Sequence, residues 1–145
     1  MTAKTYLSQL YKLEMQIRAR QEQIQELKVI ASGFKAIDYS ADKVQSSPSD
    51  RMADMIGRWA DMERELSRKV DYYIRRKDRI IEQIYSLDDS KYSRILYSRY
   101  VEHKTLHDIA DEIPHDYKWL CVLHGRALEA FSDKFLKNTT YHDSK

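Results

Sequence analysis

Apolar residues recur at alternating steps of three and four along the first part of the chain. This stripe comprises Leu10, Leu13, Ile17, Ile24 and Leu27. Arg20 interrupts the series, but the spacing is still the a/d pattern of a heptad repeat, which puts the apolar side chains on one face of a helix. Glu, Gln, Lys and Arg fill most of the other positions and favour helix formation. The pattern predicts a helix over about residues 3–31.

A second apolar stripe predicts a longer helix over about residues 51–86. Its members are Met52, Met55, Trp59, Met62, Leu66, Tyr73 and Ile80, and it is widened by Ile56, Val70, Ile81 and Ile84. Stripes of this length are typical of a coiled-coil arm. The pattern leaves two arrangements open, because the helices can pair as an antiparallel hairpin or between the subunits of a homodimer.

The segment between the two stripes, residues 32–50, breaks the heptad pattern. Gly33 is expected to end the first helix as a C-cap, because glycine readily adopts the left-handed conformation found there. The stretch Ser46–Asp50 has the composition of a loop. Either Ser49 or Asp50 is then expected to be the N-cap of the second helix.

From residue 87 onward, the pattern changes to shorter amphipathic segments. Three short helices are predicted, over about residues 91–101, 106–113 and 117–137. The expected N-caps are Asp89 or Ser90 for the first of these helices, Thr105 for the second and Asp116 for the third. The final residues, 138–145, form a polar tail that is expected to fray.

The second and third short helices are separated only by Pro114, His115 and Asp116. Proline cannot continue the preceding helix, and the Asp116 carboxylate can accept hydrogen bonds from the first amides of the next one. Two short helices joined in this way are typical of a helix-turn-helix. We therefore predict an all-α fold, with a long helical hairpin or coiled-coil arm over 1–86 and a three-helix domain over 87–137.

In a helix-turn-helix, the second helix lies in the DNA major groove with its N-terminal residues at the base edges. The predicted DNA-binding residues are Thr105, His107, His115, Tyr117, Lys118, Cys121, Val122 and Arg126. Among these, Lys118 and Arg126 can contact phosphate or guanine, and Val122 can contact a thymine methyl group. Thr105 and His107 are expected near the DNA backbone. The motif thus predicts double-stranded DNA as a partner.

The same residues carry a resemblance to a known family. Thr105–Ile113 (TLHDIADEI) and Leu123–Leu128 (LHGRAL) resemble region four of bacterial sigma factors, which reads the −35 promoter element. Over nearly its whole length, including Asp38–Pro48, the chain resembles the ArpU-like or late transcription regulators of phages of Gram-positive bacteria. The resemblance implies a sigma-region-four-like fold and a role in activating late or packaging genes.

The charge of the chain limits how strongly one copy can bind DNA. The formal net charge is only +2 and the isoelectric point is about 8.5. From residue 87 onward there are nine Lys and Arg against ten Asp and Glu. Counterion release scales with the number of phosphates contacted, so a single near-neutral domain should bind weakly. A homodimer would double the contacts, and an auxiliary basic patch could add others, from Arg75, Arg76, Lys77 and Arg79.

Other functional classes find little support in the sequence. It contains no glycine-rich phosphate loop and no nucleophile motif, so we predict neither an enzyme nor a cofactor. His103 with His107 and Cys121 with His124 have spacings that a zinc site can use, but the predicted helices separate His107 from Cys121, and we predict no metal. A single cysteine and the lack of a long apolar run favour the cytoplasm, away from membranes. The resemblance to phage regulators implies the cytoplasm of a bacterial host cell.

Two main functions therefore remain open, with a third possibility, a small terminase-like packaging protein, which also uses a helix-turn-helix and would be expected to form a ring. In the first, the protein is a sequence-specific DNA-binding regulator of transcription, supported by the turn, Lys118 and Arg126. In the second, it is a protein–protein interaction module that binds RNA polymerase or another phage or host protein with weak DNA contact. The near-neutral charge and the apolar surface of Trp119, Cys121 and Val122 favour the second.

Overall fold

The computed structural model describes residues 1–37 and 48–137, and every regular element in these ranges is helical. The α-helices are α1 (Ala3–Ile37), α2 (Pro48–Tyr85), α3 (Ser90–Leu96), α4 (Leu106–Glu112) and α5 (Tyr117–Phe131). The π-helical turn Tyr97–Val101 follows α3, and the π-helical turn Ser132–Leu136 follows α5. The prediction of an all-α fold is confirmed. Within the described ranges, no helix combines the length and the apolarity that crossing a membrane requires.

The prediction that Gly33 ends the first helix is wrong, because α1 continues to Ile37. A glycine C-cap needs a positive φ angle. No glycine of the described residues has one, so Gly33 is an ordinary helical residue. Glycine at such a position costs about 1 kcal/mol relative to alanine, which the neighbouring turns of a long helix can tolerate.

The N-cap predicted at Ser49 or Asp50 is also wrong, because α2 begins at Pro48. Proline suits the first helical position because its ring fixes a helical φ angle and that position needs no amide donor. Both α1 and α2 therefore extend into the segment 32–50 that was expected to be a loop. Its central part, residues 38–47, and the predicted tail, 138–145, lie outside the described residues.

The chain divides into two compact units. The first unit combines Met1–Leu13 with the chain from Tyr73 onward, and the second unit is the continuous segment Glu14–Tyr72. The apolar core of the first unit contains residues from every described helix, namely Ala3, Leu7, Leu10, Ile80, Ile84, Leu87, Ile95, Leu96, Tyr100, Val101, Ile109, Leu120, Ala127 and Phe131. This core therefore includes parts of α1 and α2 that the sequence-based division assigned to the arm.

Within the first unit, α1 and α2 run antiparallel. The Tyr6 hydroxyl donates to Gln83 Oε1 at 2.8 Å, and Arg76 Nε donates to Gln9 Oε1 at 2.9 Å. Residues later in α1 therefore contact residues earlier in α2. The buried Ser93 hydroxyl of α3 donates to the Ile84 carbonyl at 2.8 Å, which ties the next helix to the end of α2.

The second unit pairs the remaining parts of α1 and α2, again antiparallel. Ion pairs join Arg20 to Glu65 at 3.8 Å and Lys28 to Glu63 at 2.8 Å. These pairs are solvent-exposed and should contribute little to stability. Burial of apolar side chains contributes more to the stability of this unit. On α1 the buried side chains are those of Ile17, Ile24 and Ala31.

The predicted packing stripe is distributed over both units. Its buried members are Leu10, Ile17, Ile24 and Ile80, and its half-buried members are Leu13, Leu27, Trp59, Leu66 and Tyr73. The contacts described above join two helices of one chain, as in the hairpin alternative. Pairing between two chains stays a prediction.

The predicted N-caps of the short helices are confirmed. Asp89 accepts from the Lys91 amide at 2.9 Å, which selects Asp89 over Ser90. At the start of α5, Asp116 accepts from the Lys118 amide at 3.4 Å.

Two helix ends differ from the prediction. The helix expected over 91–101 is α-helical only to Leu96, and the helix expected over 117–137 only to Phe131. In both cases a π-helical turn follows. The apolar pattern runs on through both turns, so periodicity alone gives no signal for the change.

Candidate nucleic-acid interface

The start of α4 is fixed by reciprocal hydrogen bonds between Thr105 and Asp108. The Asp108 amide donates to the Thr105 hydroxyl at 3.1 Å, and the Thr105 amide donates to Asp108 Oδ2 at 3.2 Å. This arrangement is a capping box, which satisfies two amides that would otherwise lack a partner. The hydrogen bonds from Thr105 hold the pKa of the Asp108 carboxyl below its usual range.

A short connection then turns the chain from α4 into α5. Ile113 leaves α4 in an extended conformation, and the His115 amide donates to the Ile113 carbonyl at 2.6 Å. Pro114 lies inside this turn, and α5 begins at Tyr117. α5 packs against both α3 and α4. The connection thereby places the start of α5 beside α4.

One face of α5 is buried and the opposite face is exposed. The buried face consists of Leu120, Ala127 and Phe131. Lys118, Val122 and Arg126 follow one another at intervals of four residues, which puts them on one side of the helix. All three are exposed, and Val122 retains 52% of its accessible surface. The exposed face therefore presents two cations with an aliphatic side chain between them.

The other predicted DNA-binding residues lie around the start of α5. Thr105, His107, His115 and Tyr117 are exposed. Cys121 is an exception, because it was expected on the exposed surface and is half-buried. The physical reason is its position on the flank of α5, one turn after Tyr117, which places the thiol beside the phenol. This interaction with Cys121 raises the pKa of the Tyr117 phenol.

Aromatic contacts join α4 and the turn to α5. The His107 and Tyr117 rings are parallel within 2°, with centroids 4.0 Å apart. The His115 and Trp119 rings are tilted at 43°, with centroids 4.4 Å apart. The sequence gives no sign of the His107–Tyr117 contact, because the two residues are ten positions apart and no periodic pattern connects them. The stack makes His107 and Tyr117 one continuous surface feature.

The predicted auxiliary basic patch is divided by its contacts. Arg76 is held by its hydrogen bond to Gln9, and Lys77 Nζ lies 5.7 Å from the Tyr73 ring centroid. Arg75 and Arg79 are exposed and lie one helical turn apart. The structure thus leaves two of the four cations exposed together on one side of α2.

His124 lies behind the exposed face and is not brought to it. Its Nε2 atom lies 2.8 Å from the Tyr100 hydroxyl, and the two rings are stacked with centroids 5.7 Å apart. Burial lowers the pKa of His124, and the nearby charges of Arg99 and Lys4 lower it further. Burial also raises the pKa of Tyr100. Both shifts favour the neutral forms of the two groups.

This pair leads to a prediction about pH. Because the pKa of His124 is lower in the folded state, the unfolded state binds protons more readily, and the free energy of unfolding should fall as the pH drops through the ordinary histidine value of about 6.5. The measurement is denaturant unfolding at several pH values between about 8 and 5. His124→Gln should flatten the profile, whereas His107→Gln, an exposed control, should preserve it. An unchanged profile in His124→Gln would contradict the assignment.

Comparison of the chain with family models, with curated proteins and with solved structures gave no match. Among residues 1–37 and 48–137, no group of three His, Cys, Asp or Glu side chains is arranged to hold a metal ion. The exposed face of α5 and its surroundings form the candidate functional site.

Proposed function

We propose that this protein is a sequence-specific DNA-binding regulator of transcription, in which α4, the turn and α5 act as a helix-turn-helix. The observation that carries the proposal is the exposed face of α5, where Lys118, Val122 and Arg126 are displayed opposite a fully buried face. Following the resemblance to phage late regulators, we propose that the protein is phage-encoded and acts on late or packaging genes.

In this proposal, α5 lies in the major groove. Eight residues separate Lys118 from Arg126, which corresponds to about 12 Å along a helix, or the length of about three to four base pairs. The two cations contact guanine or phosphate, and Val122 contacts a thymine methyl group between them. Thr105 and His107, at the start of α4, contact the DNA backbone.

The near-neutral charge of the chain from residue 87 onward points to more than one copy on the DNA. Nine Lys and Arg against ten Asp and Glu give one copy little general attraction for phosphate. A homodimer reading two half-sites would double the specific contacts. Arg75 and Arg79, which are exposed on α2, would add contacts to the backbone.

A second function is favoured by a specific observation, the apolar character of part of the same surface. Tyr117 and Trp119 each retain 38% of their accessible surface, and Val122 retains 52%. Exposed aromatic side chains are enriched in protein–protein interfaces. In this alternative, the domain binds RNA polymerase or another phage or host protein, and contact with DNA is weak.

Selection of source-genome fragments on the purified protein, at low and at high salt, tests the proposal. A single enriched site whose binding weakens steeply with salt would support the regulator, because phosphate contacts release counterions. No enrichment even at low salt would refute it. A salt-insensitive complex with purified RNA polymerase would then favour the alternative, since apolar contacts are little affected by screening.

Gly125 supplies an independent argument for a close partner at α5. It is exposed within the helix, where glycine costs about 1 kcal/mol relative to alanine. A Cβ atom built at Gly125 meets nothing within 4 Å, so packing among the described residues does not require a glycine. We propose that the missing side chain lets the backbone of α5 approach the DNA.

This proposal predicts opposite effects of Gly125→Ala on stability and on binding. The variant should gain up to about 1 kcal/mol in the free energy of unfolding. Its affinity for the selected DNA site should fall about tenfold, which corresponds to ~1.4 kcal/mol. Thermal unfolding and fluorescence anisotropy measure the two effects.

Gly57→Ala is the matched control, because Gly57 is an exposed glycine of α2 with equally open surroundings. It should stabilise the fold and leave DNA affinity unchanged. If Gly125→Ala also leaves the affinity unchanged, the close approach at Gly125 is wrong.

A further inference from the structure

A separate cavity of about 300 Å³ lies in the first unit, beside the start of α4. Its walls come from α1, from the π-helical turn after α3 and from the residues that lead into α4. The lining residues are Ser8, Tyr11, Arg99, Tyr100, His103 and Thr105. None of these side chains is a carboxylate, four carry a hydroxyl group, and Arg99 carries a guanidinium group.

Arg99 supplies the positive charge of this cavity. Its guanidinium carbon lies 5.5 Å from the Tyr100 ring centroid. None of the ion pairs found among the described residues includes Arg99. A guanidinium held against a ring keeps its in-plane N–H groups as donors. Burial is the main cause of the lowered pKa of His124, and the positive charges of Arg99 and Lys4 lower it further.

The acidic side chains close in sequence to His103 and Thr105 each have a polar partner. Lys104 Nζ lies 3.3 Å from Glu102 Oε2 and 2.9 Å from Glu112 Oε2. The Asp108 carboxylate belongs to the capping box with Thr105. The cavity is therefore lined mainly by donors, whereas Glu102 and Glu112 share the single positive charge of Lys104.

His103 is set into the cavity wall by an unusual backbone conformation. Its φ angle is 58°, which is the left-handed region that non-glycine residues seldom adopt. In this conformation its ring contacts Tyr11 edge to face, with centroids 5.6 Å apart. The contact places the imidazole of the segment that leads into α4 beside the Tyr11 phenol of α1.

We infer that this cavity binds a phosphate group, with Arg99 as the charged donor and His103 and Tyr11 as neighbouring donors. Arginine matches the geometry of phosphate oxygens with paired N–H groups. The phosphate can belong to the DNA backbone or to a free phosphate compound, and only the first source rests on the proposed function. In the first case, the start of α1 would form part of the DNA-binding surface.

The test uses the full chain and two probes. The first probe is a duplex of about 30 base pairs, whose affinity is measured over a series of salt concentrations. Arg99→Gln should lower the slope of log affinity against log salt by about 0.9 and the affinity by about threefold to tenfold, as expected for one lost phosphate contact. Tyr11→Phe, which removes only a hydroxyl group, should weaken binding in the same direction by less.

Arg58→Gln is the matched control, because it removes the same charge at an exposed position of α2 in the other unit. The second probe is inorganic phosphate, added while NMR follows the Arg99 Nε–H and His103 ring signals. Circular dichroism establishes that each variant is folded.

The outcomes separate the two sources and the two proposals. A reduced slope in Arg99→Gln, but not in Arg58→Gln, supports a backbone phosphate in the cavity. Saturable shifts with inorganic phosphate support a free phosphate, and they support the cavity even if the protein binds no DNA and the proposed function fails. An unchanged slope together with unshifted signals overturns the inference.

Discussion

Replacing Lys118 and Arg126 together by alanine is expected to lower the affinity for the selected DNA site by about 100-fold or more. Each bidentate contact with a base contributes about 1–3 kcal/mol of discrimination, and the double variant removes both cations of the exposed face of α5. Neither side chain is buried, so the fold should be unaffected. Fluorescence anisotropy with the selected site and with a scrambled duplex measures the effect on both.

The control for this result is the pair Arg75→Ala and Arg79→Ala, which removes the same charge from an exposed face of α2. Phosphate contacts fix position and base contacts specify sequence. The α2 pair should therefore weaken binding to both duplexes alike, whereas the α5 pair should abolish the preference for the selected site. If both pairs act alike on the two duplexes, α5 does not read bases.

Phe131→Ala is expected to have the largest effect on stability, lowering the free energy of unfolding of the first unit by about 3–5 kcal/mol. The Phe131 side chain is fully buried. Its ring centroid lies 5.7 Å from that of Tyr6 on α1 and 5.0 Å from that of Phe135. Truncation at this position removes contacts between α5 and α1 and leaves a cavity between them.

The two tryptophans allow this effect to be assigned to one unit. Trp119 belongs to the first unit and Trp59 to the second, so Trp59→Phe leaves a fluorescence signal from the first unit alone. Denaturant unfolding in that background measures the change. Val122→Ala, at a side chain that is 52% exposed, should change stability by no more than about 0.5 kcal/mol. If Phe131→Ala lowers the free energy of unfolding by less than about 1 kcal/mol, the prediction that this ring is essential to the core is wrong.

Local chemistry accounts for the parts of the fold that the sequence predicted well. Asp89, Thr105 and Asp116 each precede an amphipathic segment, and each caps a helix because a short side chain can reach an amide two or three residues ahead. The failures at Gly33 and Pro48 have a local origin too. Both residue types are compatible with a helix as well as with its end, and the choice depends on neighbouring turns.

Long-range packing accounts for most of what the sequence could not predict. The pairing of Tyr6 with Gln83 spans 77 residues, and no periodicity in either helix specifies it. The same holds for the cavity, which is lined by Tyr11 of α1 together with Arg99 and His103. Sequence patterns place residues on faces of helices, but the choice of partner for each face depends on shape and volume in the assembled core.

The candidate DNA-binding surface was partly accessible from the sequence. The buried residues of α5 repeat with helical spacing, which puts Lys118, Val122 and Arg126 on the opposite side. The stack of His107 on Tyr117 was not accessible, because it depends on the angle at which the turn sets α5 beside α4.

The division of the first unit into two stretches of chain has a consequence for the order of events during synthesis. The apolar residues Ala3, Leu7 and Leu10 leave the ribosome early, but Phe131 of the same core follows about 120 residues later. At translation rates of about 5–20 residues per second, the nascent chain waits roughly 6 to 24 s for its last core residues. The intervening segment Glu14–Tyr72 is continuous and can pair its helices first. Pairing within Glu14–Tyr72 shortens the effective loop between the two stretches of the first unit. Part of the entropy cost of joining these stretches is then already met before α3, α4 and α5 are synthesised.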